Sequence, residues 1–169
     1  SVLCLPDFSG PGVKNSFLQS ALVAAVDGDT ANLIGPIDRP HEFVFVPDVG
    51  PVVARLAPNP HASGQAWHFA GAGVTTQRAM IEEIERQIGH PLRTRVAGKT
   101  TLRAAGIFNR FMRELVEMHY LLTDPVIMDD SALARLIGPL SKTSYADGVR
   151  ECLAAVRAQR ARASGLKAR

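Results

Sequence analysis

Cysteine is scarce in this chain, with two in 169 residues, Cys4 and Cys152, at opposite ends. Both sit among apolar neighbours, Val2, Leu3 and Leu5 for one and Leu153 and Val156 for the other. A disulfide-built secreted scaffold is therefore a poor fit. Buried free thiols and a cytoplasmic compartment fit better, although a pairing between the two stays open. No apolar run is long enough to span a bilayer. Long charged tracts, low-complexity segments and internal repeats are missing too.

Several catalytic signatures are also missing. His41, His61, His68, His90 and His119 form no metal-ligand spacing with one another, with cysteine or with an acid on the same element. His119, next to the apolar stripe of a long helix, reads as a packed histidine. No Gly-x-Ser-x-Gly elbow occurs. Gly71-Ala72-Gly73 lacks the third glycine of a dinucleotide fingerprint.

The composition that remains is globular, 46% hydrophobic and 21% charged. Length favours one domain. The net charge of +3 comes from the C-terminal end, where Arg157, Arg160, Arg162, Lys167 and Arg169 cluster. The rest carries fourteen Lys and Arg against sixteen Asp and Glu, about −2. Such a tail reads as a solvated helix end with cations at its negative pole, and neither a nucleic-acid nor a membrane partner is expected.

Along the chain, short strands alternate with helices. Val2–Leu5 and Phe43–Val46 read as strands, joined by Gln65–Ala70 and Leu92–Val96. Helical spacing runs over 15–26, 49–56, 80–88, 100–122 and 145–156. Thr75 or Thr76, and further on Ser131, are expected caps. Asp48, directly after Phe43–Val46, is expected to cap the helix that follows. Ser144 and Asp147 have capping-box spacing. The Asp129-Asp130 doublet reads as a helix-start feature rather than a catalytic pair. Residues 1–160 are expected to form the folded portion and 161–169 a flexible basic tail. Val2–Leu5 is apolar throughout, as in strands with neighbours on both edges, so the chain reads as the second part of a larger protein.

Three segments carry a resemblance. Leu3-Cys-Leu-Pro-Asp-Phe-Ser-Gly-Pro-Gly12 resembles the Arg-Pro-x-x-x-Tyr-Gly-Pro-Gly segment of the extended short-chain dehydrogenases/reductases, the NAD-dependent epimerase/dehydratase family. His41-Glu-Phe-Val-Phe-Val-Pro-Asp-Val49 is similar to that family's Arg-Asp-Phe-Val-Tyr-Val-Asp-Asp-Val, and Thr143-Ser-Tyr-Ala-Asp-Gly148 to Thr-Pro-Tyr-x-x-Gly. The resemblance implies an α/β fold, the C-terminal portion of a Rossmann-type enzyme, with short strands and a mostly helical remainder. It implies NAD or NADP in the full-length parent. None is expected for this chain alone, because the glycine-rich phosphate loop and the catalytic Tyr-x-x-x-Lys of that family are missing here. Tyr120 is followed at the fourth place by Asp124 and Tyr145 by Val149.

By the same resemblance, Pro6, Asp7 and Phe8 would pass the nicotinamide end of the cofactor, while Ser9, His41 and Phe108 would face the substrate. Phe108, with Phe111 and Met112, also suits plain core packing. Two departures shape the expectation. Ser9 stands where the family has Tyr, and His41 where it has an Arg that grips a nucleotide-sugar phosphate. A neutral imidazole does not replace a bidentate guanidinium. A small carbonyl substrate is therefore expected, on a parent oxidoreductase or epimerase, and the chain itself is expected to self-associate as a homo-oligomer. A non-catalytic sensor of the same fold and a free-standing interaction module are the alternatives.

Overall fold

The computed structural model describes residues 1–106 and 120–167. The first half threads four strands, β1 (Val2–Cys4), β2 (Asp7–Ser9), β3 (Ala31–Ile34) and β4 (Phe43–Phe45), around helix α1 (Gln19–Asp27). Helix α2 (Val46–Leu56) follows β4 without a break, and a single 3-10 turn, Pro60–Ala62, leads to β5 (Ala66–His68). Then come α3 (Gln77–Ile88), β6 (Thr94–Ala97), α4 (Lys99–Gly106), α5 (Tyr120–Thr123), α6 (Ser131–Ile137) and the long α7 (Tyr145–Lys167). This is the expected order of short strands followed by a mostly helical remainder.

The strands form three parallel pairs, β1 with β5, β2 with β4 and β3 with β6. Leu3 lies opposite Trp67, Phe8 opposite Val44, and Leu33 opposite Val96. Parallel pairing demands crossovers, so helices lie over the strands and apolar runs are covered on both faces. β4 shows the consequence, because all three of its residues are buried. Its alternation splits the interior in two. Phe43 and Phe45 pack with Leu18, Leu22, Met80, Ile84 and Leu153 under α1, α3 and α7. Val44 faces the other way, into Val52, Leu56, Trp67, Phe69 and Leu133.

Several local expectations hold. Thr76 accepts from the Ala79 N–H at 3.0 Å and caps α3. The Ser144 hydroxyl accepts from the Asp147 N–H and donates to its carboxylate at 2.6 Å. Gly28 closes α1 in the left-handed conformation that suits glycine.

Others are corrected. Helix α1 begins at Gln19, not Asn15, leaving Ser16 and Phe17 in the turn before it. Asp48 does not cap α2, whose N-cap is Phe45 with no side-chain bond. Its carboxylate instead accepts from Thr143, from the backbone N–H at 2.7 Å and from the hydroxyl at 2.8 Å. Ser131 is the first residue of α6, and Asp130 is its N-cap. The Asp doublet divides its work, with Asp129 accepting from the Ser131 N–H. Asp130 accepts from the Ala70 N–H and pairs with Lys142 at 2.7 Å. Helix α7 continues past Ala161 to Lys167, and Arg160 on it holds Asp27 at the end of α1 through two bonds. Both cysteines are free thiols. No helix among the described residues is long and apolar enough to cross a membrane.

Candidate functional site

The carboxyl ends of β1 and β5 lie side by side. In parallel α/β sheets, ligands collect outside such ends, where chains diverge into loops. From β1 the chain runs through Leu5-Pro6 straight into Asp7. From β5 it runs through Phe69-Ala70 into the Gly71–Gly73 turn. His41 is fastened to this second exit, because it and Thr75 exchange two backbone hydrogen bonds of 2.8 Å. The fold therefore brings Asp7 and His41 together, although they lie on separate segments, with Pro6 next to Asp7 in the chain.

Asp7 is the best-connected carboxylate here. Its Oδ1 accepts from the Phe8 N–H at 2.8 Å; its Oδ2 accepts from the Phe17 N–H at 3.2 Å and from the Ser16 hydroxyl at 3.4 Å. His41 Nε2 lies 3.9 Å from Oδ2, an electrostatic contact too long for a hydrogen bond. That nitrogen is buried and has no hydrogen-bond partner among the described residues. The imidazole is held between Phe17, at 5.9 Å edge-on, and Phe43, at 4.7 Å and tilted.

Burial governs the charges. The side chains of His41 and Asp7 are only 15% and 12% exposed. Desolvation pushes the Asp7 carboxyl up to about 6, against the opposing pull of its three hydrogen bonds. The same desolvation pushes the His41 imidazole below its ordinary value. Near neutral pH the pair is a carboxylate beside an uncharged imidazole. One proton added near pH 6 is enough to neutralise it.

The other candidates are placed differently. Phe8, 40% exposed, stands at the surface. Ser9 is buried, and its hydroxyl donates to the Val44 carbonyl at 3.3 Å across the β2–β4 pair, away from His41. Phe108, Phe111, Met112 and His119 lie outside the described residues. Ser16 and Phe17 were missed. Their spacing matches the helix that follows, and nothing in sequence marks a turn reaching back to Asp7.

The Gly71–Gly73 turn follows a strand and precedes a helix, the context of a phosphate loop. It does not fit one. A Cβ on Gly71 would sit 2.5 Å from the Phe43 carbonyl oxygen and 2.9 Å from the Tyr145 hydroxyl. Gly71 is there for close backbone packing. The Tyr145 hydroxyl accepts from the Phe43 N–H and donates to the Gly73 carbonyl, and burial raises its pKa, so it stays a donor. The N-terminus of α3 is already occupied by Thr76. This turn and the start of α3 thus provide no cradle for a pyrophosphate. The described residues contain no group of three or more His, Cys, Asp or Glu able to hold a metal ion.

No protein-family model and no curated protein matches the sequence. Solved structures match the fold, which is that of NAD-dependent epimerases and dehydratases. The UDP-glucuronic acid 4-epimerase of Bacillus cereus, in complex with NAD, is similar at a TM-score of 0.72 and 11% identity, over 93% of this chain and 44% of that one. The protein RMD of Pseudomonas aeruginosa, complexed with NADPH, gives 0.69 and 16%, over 94% and 48%. The dTDP-glucose 4,6-dehydratase of Bacillus anthracis, in complex with NAD, gives 0.70 and 11%, over 95% and 45%. The chain spans less than half the length of each.

Proposed function

We propose that this chain is the substrate-side portion of an NAD(P)-dependent oxidoreductase or epimerase that acts on a small carbonyl compound rather than a nucleotide-sugar. The fold supports the enzyme class. The Asp7–His41 pair supports the substrate. A phosphate-gripping site needs cations with several donors, and this one offers a carboxylate and a neutral imidazole. A phosphorylated ligand would meet repulsion from Asp7. A hydroxyl or carbonyl would meet one hydrogen-bonding nitrogen, His41 Nε2, that has no other partner among the described residues.

The cofactor, when bound, would give or take the hydride, held by a glycine-rich loop on another part of the parent. Within this chain, Pro6 fixes the strand exit through its ring and Asp7 fastens the Ser16–Phe17 turn. His41 orients the substrate through Nε2, backed by Phe17 and Phe43, which keep water away. The proton donor of the reaction belongs, in this reading, to the same remainder as the phosphate loop.

The test is steady-state kinetics on the intact parent with small aldehydes and ketones alongside UDP-sugars. Small carbonyls are expected to be the better substrates. His41→Ala should raise KM about tenfold with kcat nearly unchanged, the signature of lost binding common to ground and transition states. Faster turnover of a UDP-sugar, or unchanged constants in His41→Ala, would overturn the reading.

A further inference from the structure

On another face, the Gly10–Lys14 turn, α1 and α7 enclose a cleft of about 550 Å³. That is the size of a small-molecule site. Its floor is apolar, with Leu22 and Val23 from α1 and Ala155 and Val156 from α7. Its polar groups are Lys14, Gln19, Gln159, Arg160 and Arg162, and no acidic side chain lines it. Arg160 is committed, bonded to Asp27 at 2.8 and 2.5 Å. Lys14, Arg162 and the two glutamine amides have no side-chain partner among the described residues.

An apolar floor beside two uncommitted cations and two free amides is complementary to one kind of ligand. We propose that this cleft binds a small amphipathic anion, a phosphate or carboxylate head on a short apolar body. The head would lie against Lys14 and Arg162, and the body against Leu22 and Val156. A second copy of the chain is a poorer occupant, because the same cations on both copies would face each other. The cleft shares no residue with the Asp7–His41 site, so the two readings stand or fall separately.

Hexyl phosphate and hexanoate are the probes for the two head groups, with hexanol and inorganic phosphate as controls. Each is titrated into the chain at roughly physiological salt, following the methyl signals of Leu22, Val23 and Val156 by NMR. At least one amphipathic anion should saturate with a submillimolar Kd, and both controls should bind about tenfold more weakly or worse. Lys14→Gln with Arg162→Gln should weaken binding about tenfold with the spectrum otherwise intact. Ala158→Phe, filling the cleft from an exposed helix position, should abolish it, while His41→Ala should leave it unchanged. The proposal is overturned if neither anion saturates below about 10 mM. Inorganic phosphate binding as well as hexyl phosphate would also overturn it. So would methyl signals that shift with protein concentration alone, which would place a second copy in the cleft.

Discussion

The helical layer and the β1–β5 pair are made of similarly apolar sequence and end up in different conditions. Under α1, α3 and α7, residues from four separate segments meet, and Ala21, Ile84 and Leu153 lose essentially all contact with water. In the β1–β5 pair, Trp67 is covered and Leu3 half-covered, but Val2 remains 60% exposed. Each strand there has one neighbour among the described residues. A helix satisfies its own backbone and needs cover on one face only. A strand satisfies half its backbone per neighbour, so a two-stranded parallel pair is incomplete by construction. The first region closes itself, and the second has room for more.

The largest expected effect sharpens this contrast. Ile84→Ala, at a fully buried position on α3, should destabilise by about 3–4 kcal/mol, combining lost transfer energy with the cavity left behind. That corresponds to a melting-temperature drop of roughly 10 °C for a chain of this size. Val2→Ala should cost less than about 0.5 kcal/mol, because little burial is lost. Thermal or urea unfolding of the two variants checks both. Equal losses would mean that β1 is as well closed as the helical layer.

Legibility in the sequence followed the same divide between local and distant causes. Thr76 and the Ser144–Asp147 box were readable because cap and capped group lie three residues apart. Phe43–Val46 was readable as an unbroken apolar run. The pairing of β3 with β6 was not, since the partners Ala31 and Thr94 lie 63 positions apart and leave no local trace. Asp48 looked like a cap because its real partner, Thr143, lies 95 positions away and leaves no local trace. At the site, resemblance pointed to Asp7 and His41 separately. Their proximity, and the Phe17 edge that shields them, arise only when the turn before α1 folds back.

That pair provides the second prediction, smaller and with opposite signs for its two members. The folded state raises the Asp7 pKa from 3.8 to about 6, so it favours the protonated carboxyl. The stability from this group is complete below pH 3.8 and is lost as pH rises through about 6. The folded state lowers the His41 pKa from 6.5, so it favours the neutral ring. That stability is present above pH 6.5 and is lost as pH falls through the lowered value. The two slopes oppose each other, so the unaltered chain should show a flatter melting profile across this window than a variant that keeps only one of the two groups. Asp7→Asn should expose the histidine slope and lose stability on acidification. His41→Gln should expose the carboxylate slope and lose stability on going alkaline, by roughly 3 kcal/mol. Asn has one acceptor fewer than the carboxylate, so the absolute stability of Asp7→Asn will also fall. The slope against pH, from melts at several pH values, is the deciding quantity. Parallel profiles for the two variants would show that neither group titrates in this window.

The smallest effect on stability concerns the open side of the comparison, and it is read in association. A parallel edge presents unpaired N–H and C=O groups beside apolar side chains, a template that another strand can complete. Val2 stands on such an edge, and pairing between copies would remove its apolar surface from water at roughly 25 cal/mol per Å². We therefore expect the isolated chain to self-associate at micromolar concentration through β1, the homo-oligomer anticipated from its sequence. A lysine at an edge position blocks such pairing by demanding solvation, and costs almost nothing in the monomer because position 2 is already exposed. Val2→Lys should therefore return the chain to a monomer in sedimentation while moving its melting temperature by no more than about 2 °C. Suppose instead that the unaltered chain sediments as a monomer and the amides of Val2–Leu5 resist hydrogen exchange. The edge would then be covered by the chain itself, and the contrast between a closed helical layer and an unfinished strand pair would disappear.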